Sequence, residues 1–370
     1  MRIAFASHTA EVGVFKVGSH HLAREFAKAG HEVLHVSSPA SFLHLARVRD
    51  RTVRERLRLA LTSPRLDEYG VTHVEPFVVV PPGRLSPALR AFELRHPLRP
   101  WSRTLREWGR KPVDVLFIDQ PLLGTAMIDV LTPRKVVYRP TDAHYDTVLR
   151  QAELSVLEAA DAVVATSRPV LDDVLSESSR SLPELVIENG VEYDRFHESD
   201  RGNRSRSGVV YLGALDRRFD WATLAGLAAS HPETPFEIAG PVAVQPSMQL
   251  PPNVRLRGGV PYSAAPDLLR SCSVGLLPFS DDPGNQGRSP MKYYEYLAAG
   301  LFVVASTSPA LATRSAPGVW LYSNLPEAKA ALGGALAVAG RSNEDGAAYA
   351  AQYSWASRAA ALAHFVRGLE

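Results

Sequence analysis

Short apolar runs alternate with amphipathic stretches along most of this chain, and the alternation predicts its elements. Residues 3–7 read as a strand, 19–29 as a helix stopped by Gly30 and His31, and 32–37 as the next strand. A β-loop-α-β opening of this kind suits a parallel, doubly wound sheet. The pattern continues with a helix over 47–66, a strand over 74–80 closed by Pro81, Pro82 and Gly83, and a helical region over 86–110 interrupted at Pro97 and Pro100. Strands at 113–118, 135–139, 162–166 and 184–187 then alternate with helices at 124–131, 151–160 and 169–177. After a polar stretch at 201–207, strands are expected at 209–212, 236–239, 254–256, 274–277, 302–305 and 319–321. Helices at 221–230, 264–270, 327–339 and 355–368 fall between and after them. Two successive α/β halves joined by a linker predict a cleft between them, a preferred place for a ligand.

The most informative stretch is RSPMKYYEYLAAGLFVVAS, residues 288–306. Ser289 suits a helix N-cap, Pro290 the first helical position and Gly300 a C-terminal stop. At 100° per residue, Lys292, Glu295, Tyr296 and Ala299 share one face. Tyr293, Tyr294, Leu297 and Ala298 share the opposite face, which is expected to enter the core. Lys292 and Glu295 can be an ion pair on a solvated surface, worth a few tenths of a kcal/mol. Against that, a lysine in the first turn opposes the helix dipole unless an anion binds there, and helix N-termini suit phosphate. Glu295, one turn deeper, could accept hydrogen bonds from a ribose diol. Diphosphate followed by ribose is half of a nucleotide-sugar.

Composition narrows the class. The 370 residues are 45% apolar and 22% charged, as in a globular protein long enough for two domains. Gly13 and Gly18 do not form G-x-G-x-x-G, and the second strand ends in VSSPA without an acid, which disfavours a dinucleotide-binding dehydrogenase. The lone Cys272 excludes an internal disulfide and is expected to be a buried, inert thiol. A strand at residues 1–6 leaves no room for a signal peptide, and no apolar run reaches the roughly 18 residues of a membrane span. A cytoplasmic location is therefore expected. Net charge is +2, yet residues 47–111 carry fourteen Arg and one Lys against seven acids. This basic segment is either a solvated helix face or a surface for anionic lipid or a pyrophosphate-bearing acceptor. Nothing in it resembles a nucleic-acid-binding module.

The stretches SHTAEVGVFKVGSHHLAREFAKAGHEVLHVS, DAVVATS, IENGVEYDRF, SPMKYYEYLAAGLFVVAS and YSW together resemble GT-B glycosyltransferases. Within that fold the resemblance is to bacterial family 4 enzymes and the xanthan-assembly glucuronosyltransferase (family 70-like), over nearly the whole chain. It implies an α/β, GT-B architecture, with two Rossmann-like doubly wound parallel-sheet domains facing across a cleft. The expected parts are an acceptor domain at 1–200, a linker at 201–207, a nucleotide-sugar domain at 208–352 and a C-terminal helix at 353–370 crossing back. By motif position, Lys292 would contact the donor diphosphate, Glu295 the ribose and Met291 the base, with Gly213 allowing close approach to the phosphates. Arg288 and Ser289 would flank the same site, and Gly18 and His20 would lie on the acceptor side.

One departure bears on mechanism. Family 4 enzymes carry a second glutamate eight residues before the ribose glutamate, and here that position is Gly287. The YRPTDAHYD segment resembles the strand-loop whose aspartate is the proposed base of the glucuronosyltransferase. Asp142 is therefore the expected general base of an inverting transfer to a hydroxyl, with His144 as the alternative. Each could equally be a turn or packing residue. No metal or other cofactor is expected, since the helix terminus and Lys292 can stabilise the departing diphosphate. Asp281 and Asp282 lack the spacing of a DxD metal motif and read as a solvated loop. The rival functions are a nucleotide-sugar 2-epimerase and a catalytically silent sugar-nucleotide binder on the same fold.

Overall fold

The computed structural model describes residues 1–8, 16–79, 100–143, 147–197 and 206–369. The chain divides into two compact units, one of Met1–Ile187 with Arg358–Glu370 and the other of Glu188–Ser357.

The first unit contains strands β1 (Arg2–Ala6), β2 (Glu32–Val36), β3 (Ala40–Ser41), β4 (Arg65–Leu66), β5 (Val71–Val74), β6 (Phe77–Val78), β7 (Val113–Ile118), β8 (Pro133–Tyr138), β9 (Ala162–Ala165) and β10 (Glu184–Val186). Its main sheet runs β10-β9-β8-β7-β1-β2-β5-β4. Only β4 is antiparallel to its neighbour, while β3 and β6 form a separate parallel pair. The central strands are near-continuous apolar runs because helices cover both faces, so Ile3, Leu34, Leu116 and Val137 are all buried. The first helix, Gly18–Lys28, ends where Gly30 takes φ 82°, a left-handed conformation that a side chain disfavours.

Two expected elements break where proline intervenes. The helix expected over 47–66 is a 3-10 turn, Phe42–Arg47, followed by the helix Arg51–Thr62, and Pro64 precedes β4. The strand expected over 74–80 is split into β5 and β6 around Pro76. That residue has no N–H for a ladder, and its carbonyl instead accepts the Ala40 N–H at 2.8 Å. Of the helical region expected over 86–110, the structure describes Pro100–Gly109; residues 80–99 lie outside the described residues.

In the second unit, β11 (Val209–Leu212), β12 (Phe236–Ala239), β13 (Val254–Gly258), β14 (Val274–Leu277), β15 (Phe302–Ser306) and β16 (Val319–Tyr322) form one parallel sheet in the order β13-β12-β11-β14-β15-β16. Strand order reverses between β11 and β14. The loops after those two strands therefore flank the switch point, where open α/β sheets place ligands. Helices Pro309–Ala312 and Glu344–Ala351 were not foreseen from the apolar pattern; Ser308 and Asn343 cap them through Leu311 N and Gly346 N.

The boundary between the units falls before the expected linker, of which residues 201–205 lie outside the described residues. The physical reason is that the NGVEYDRF segment packs with the second unit. Val191 N donates to the Tyr353 carbonyl at 2.9 Å, Trp355 N donates to the Val191 carbonyl at 3.2 Å, and Phe196 is buried in the second unit's core. Among the described residues no helix is long and apolar enough to cross a membrane.

Candidate functional site

The helix at the centre of the second unit spans Met291–Ala298 and is capped by Pro290, not by Ser289. The Ser289 hydroxyl is engaged elsewhere, accepting from Asn189 N at 3.2 Å and from the Arg314 guanidinium at 3.0 Å. Every residue from Tyr293 to Ala298 is buried. The expected polar face is thus partly core: the Tyr296 hydroxyl accepts the Leu212 N–H at 2.8 Å, locking the helix to the end of β11. Gly275 makes room for that ring, since a Cβ there would lie 2.2 Å from it. On the other side, Tyr294 donates to Glu188, which pairs with Arg314 at 3.2 Å, and its ring stacks on Tyr353. Both sides of the helix are held, so the positions of Lys292 and Glu295 are fixed by packing.

Lys292 lies against the turn that follows β11. A Cβ on Gly213 would sit 2.6 Å from Lys292 Cε and 2.7 Å from the Tyr211 hydroxyl, so any side chain there would displace the lysine end from this turn. A second glycine supports the first. Gly240, at φ 147°, has its absent Cβ directed to 1.7 Å from the Gly213 carbonyl oxygen. Burial lowers the pKa of the Lys292 ammonium; Glu295 raises it, while Arg288 and Arg218 lower it further. Burial raises the Glu295 carboxyl, which Lys292 holds down and Glu192 pushes up. Glu295 is only 8% exposed, so the pair is not the solvated surface ion pair that the sequence also allowed.

Arg218 is the residue that sequence reasoning missed. It follows Gly213 by five positions, in the segment LDRRFD, where two arginines look like an ordinary solvated turn. The structure orients it. Asp216 holds its guanidinium at 2.6 and 3.2 Å, and burial's upward push on the Asp216 carboxyl is outweighed by these bonds and the charge of Arg218. The Arg218 carbonyl accepts from Asn285 Nδ2 and Ser280 N, both at 3.0 Å, which ties the loop after β11 to the loop after β14. Arg217 pairs with Asp282 at 2.7 Å, and Asp282 also caps the short turn Pro283–Asn285. Asp282 is thus a structural residue of this junction, while Asp281 is exposed. Arg288 stands over the Phe279 ring at 5.5 Å. Lys292 thus lies against the glycine turn at the switch point, and Arg218 and Arg288 stand close enough to it for their charges to be felt there.

Beside Glu295 lies a second polar group. The Tyr262 hydroxyl donates to Glu192 at 2.6 Å, and Arg195 pairs with Glu192 at 3.4 Å while lying over the Tyr262 ring. Met291 is half-buried at the start of the helix. Cys272 is buried, and burial pushes its thiol up to about 11, consistent with an inert side chain.

In the first unit, Asp142 is exposed on the loop after β8. The loop is anchored by Thr166, whose hydroxyl donates to the Thr141 carbonyl at 3.0 Å. His144 lies outside the described residues. Gly18 opens the first helix and is buried, and His20 is buried beneath that helix with its ring 4.5 Å from that of His35. His73 continues the group, 5.4 Å from His35 by ring centres and 2.9 Å from Asp67. At the end of β7, a buried Asp119 binds Arg139 through Nε at 2.8 Å and through a second guanidinium nitrogen. Among the described residues, no group of three His, Cys, Asp or Glu side chains is placed to hold a metal ion.

No protein-family model matches the chain. A curated relative, "Putative teichuronic acid biosynthesis glycosyltransferase TuaH" of Bacillus subtilis (strain 168), is 28% identical over 189 residues, 47% of this chain and 47% of that protein. The match thus spans about half the length of that relative. Among solved structures, Anabaena HepE in complex with UDP aligns with a TM-score of 0.68 at 15% identity, covering 99% of this chain and 100% of that one. HepE is also known in complex with UDP-glucose. Sucrose-phosphate synthase from Thermosynechococcus elongatus aligns with a TM-score of 0.71 at 16% identity, covering 100% of this chain and 99% of that one. These structural neighbours are GT-B glycosyltransferases, and the fold of this chain is GT-B.

Proposed function

We propose that this protein is a glycosyltransferase that moves a sugar from a UDP-sugar to a hydroxyl of a glycan, lipid-linked or small-molecule acceptor. The observation that carries the reading is Lys292 packed against the Gly213 turn, with the charges of Arg218 and Arg288 acting on it and the Glu295 carboxyl one helical turn away. A glycine at this turn keeps side-chain bulk away from the Lys292 ammonium, and the cations oppose the charge that grows on the departing diphosphate. Glu295 accepts from the ribose diol, and Met291 lies on the base side. The complexes of the structural neighbour HepE with UDP and UDP-glucose support this choice of donor.

In this reading the three cations do the work that a metal ion does in other transferases. The acceptor oxygen forms a bond to the anomeric carbon as the carbon–oxygen bond to the diphosphate breaks. The acceptor proton passes to Asp142, whose exposure on a strand-end loop makes it reachable by substrate, or to His144 in its place. A single displacement of this kind inverts the anomeric centre.

The test is incubation with UDP-sugars while UDP release and C2 deuterium exchange are followed. Slow UDP release without acceptor, accelerated by an acceptor, is the expected outcome. Exchange at C2 would identify a 2-epimerase, and binding with neither reaction would identify a silent binder. Asp142→Asn is expected to abolish transfer while sparing UDP affinity, and an active variant removes Asp142 from the mechanism.

A further inference from the structure

We propose that the first unit docks on an anionic lipid bilayer through the Phe42–Arg47 turn and the outer side of the Arg51–Thr62 helix. The helix has already used its core stripe: Val53, Leu57 and Ala60 are buried together with Ala40 and against Phe77. Arg56 also turns inward, binding Glu75 at 2.9 Å and the Pro39 carbonyl at 3.2 Å. That inward anchoring fixes which side faces out. At 100° per residue, Arg54, Arg58 and Leu61 share an outer side, and all three are exposed.

Exposed large apolar side chains are concentrated in this part of the described chain. Of twelve exposed large apolar residues among the described ones, seven lie between residues 42 and 79. Leu61 is 77% exposed and Leu66 68%, while Phe42, Leu43 and Leu45 project from the turn that packs against the helix. An isolated exposed leucine needs no explanation, but a group of them does. The cations interleaved with them, Arg49, Arg54, Arg58 and Arg65, are also exposed, against only Asp50 and Glu68 among exposed acids of this region. Asp50 is further offset by Arg47 at 3.6 Å.

The combination selects a lipid surface over its rivals. Aliphatic tips can enter the headgroup boundary while guanidinium groups meet lipid phosphates and acidic headgroups. The exposed apolar tips are aliphatic apart from Phe42, whose ring is packed edge-on against Phe77, so nucleic-acid bases find little stacking platform. In a two-fold dimer the same patch would face itself, bringing like charges together. The inference does not depend on the donor site.

The experiment is co-sedimentation of the full chain with vesicles of phosphatidylcholine and phosphatidylglycerol, and with vesicles of phosphatidylcholine alone. Retention on the mixed vesicles is expected, at least about tenfold stronger than on the neutral ones and weakened by raised salt. The variants L43S/L45S and R54E/R58E are each expected to lose at least about tenfold in partitioning, with circular dichroism and UDP affinity unchanged. Because all four side chains are exposed, folding should survive either change, and the two variants test the apolar and charged contributions separately. Equal partitioning to both vesicle types, no retention on either, or unchanged partitioning of both variants overturns the proposal. So does a wild-type dimer, measured by light scattering, that L43S/L45S dissolves.

Discussion

The second unit's glycine turn and the first unit's buried histidines both gather polar groups near the ends of parallel strands, but they resolve the charge differently. Near Gly213, the charges of Arg218 and Arg288 bear on Lys292, with Asp216 holding Arg218 and Glu295 favouring the charged form of Lys292. Beneath the first helix, polar groups pair with one another: Ser7 with Ser19 at 2.6 Å, Ser19 with His35 at 3.2 Å, and His73 with Asp67 at 2.9 Å. The first arrangement gathers like charges, which favours an anion. The second pairs several of its groups internally, and its expected signature is in stability rather than binding. The difference teaches that like charges held together, not polarity or burial alone, mark the ligand site.

The largest expected effect comes from breaking the turn itself. Gly240→Ala would place a methyl group 1.7 Å from the Gly213 carbonyl oxygen at a φ of 147°. A loss of about 3–5 kcal/mol in unfolding free energy is expected, measured by urea titration. If the variant keeps wild-type stability, the close approach of the two glycine turns is not required.

A smaller effect tests the charge. Lys292→Ala should weaken UDP affinity by about 10- to 150-fold in calorimetry, the range for losing one charge-assisted hydrogen bond. Arg218→Ala should cost less, about tenfold, because Asp216 already shares that guanidinium's charge. Equal affinity in both variants and wild type would falsify the anion-site reading of this turn.

The smallest effect probes the histidine group through pH. Burial, reinforced by His20 and His73, holds the His35 pKa well below 6.5. The folded state then keeps His35 neutral while the unfolded chain takes up a proton below pH 6.5. Stability is therefore complete above that pH and is lost below it, by up to about 1.4 kcal/mol per pH unit. Glu75 acts in the opposite sense: burial, eased by Arg56, raises its carboxyl to about 7 from 4.5, so its contribution falls as pH rises between those values. The two partly cancel in the wild type. Glu75→Gln should steepen the rise of stability from pH 5 to 6.5, and His35→Phe should flatten it, both read from urea midpoints. An unchanged pH profile in both variants would remove this account of the cluster.

Much of the second unit was legible in the sequence because its elements are short and punctuated. Strands β11, β12 and β14 and the helix Trp221–Ser230 have the bounds that the apolar runs predict, set by Gly213, Gly240 and the Asp220 cap. The first unit was less legible where proline cut a periodic stretch, at Pro64 and Pro76, since apolar spacing continues through a break that the backbone cannot. Ser289 failed as a cap for a similar reason. Its sequence context suits a cap, but Asn189 and Arg314, 100 and 25 residues away, take its hydroxyl.

For the helix Met291–Ala298, the sequence by itself determined that a lysine and a glutamate would lie one turn apart near an open helix end, because helical geometry is local. Only the tertiary structure decided that the glutamate would be buried and the lysine half-buried beside it. Tyr296 reaches the Leu212 N–H and Tyr294 reaches Glu188, so packing on both sides carries the helix into the unit. The third cation was also a tertiary decision. Arg218 joins Lys292 and Arg288 because Asp216 and Asn285 hold its loop, and because β11 and β14 are neighbours where the sheet order reverses. Sequence sets which charges exist along each segment; the order of strands in the sheet sets which of them meet.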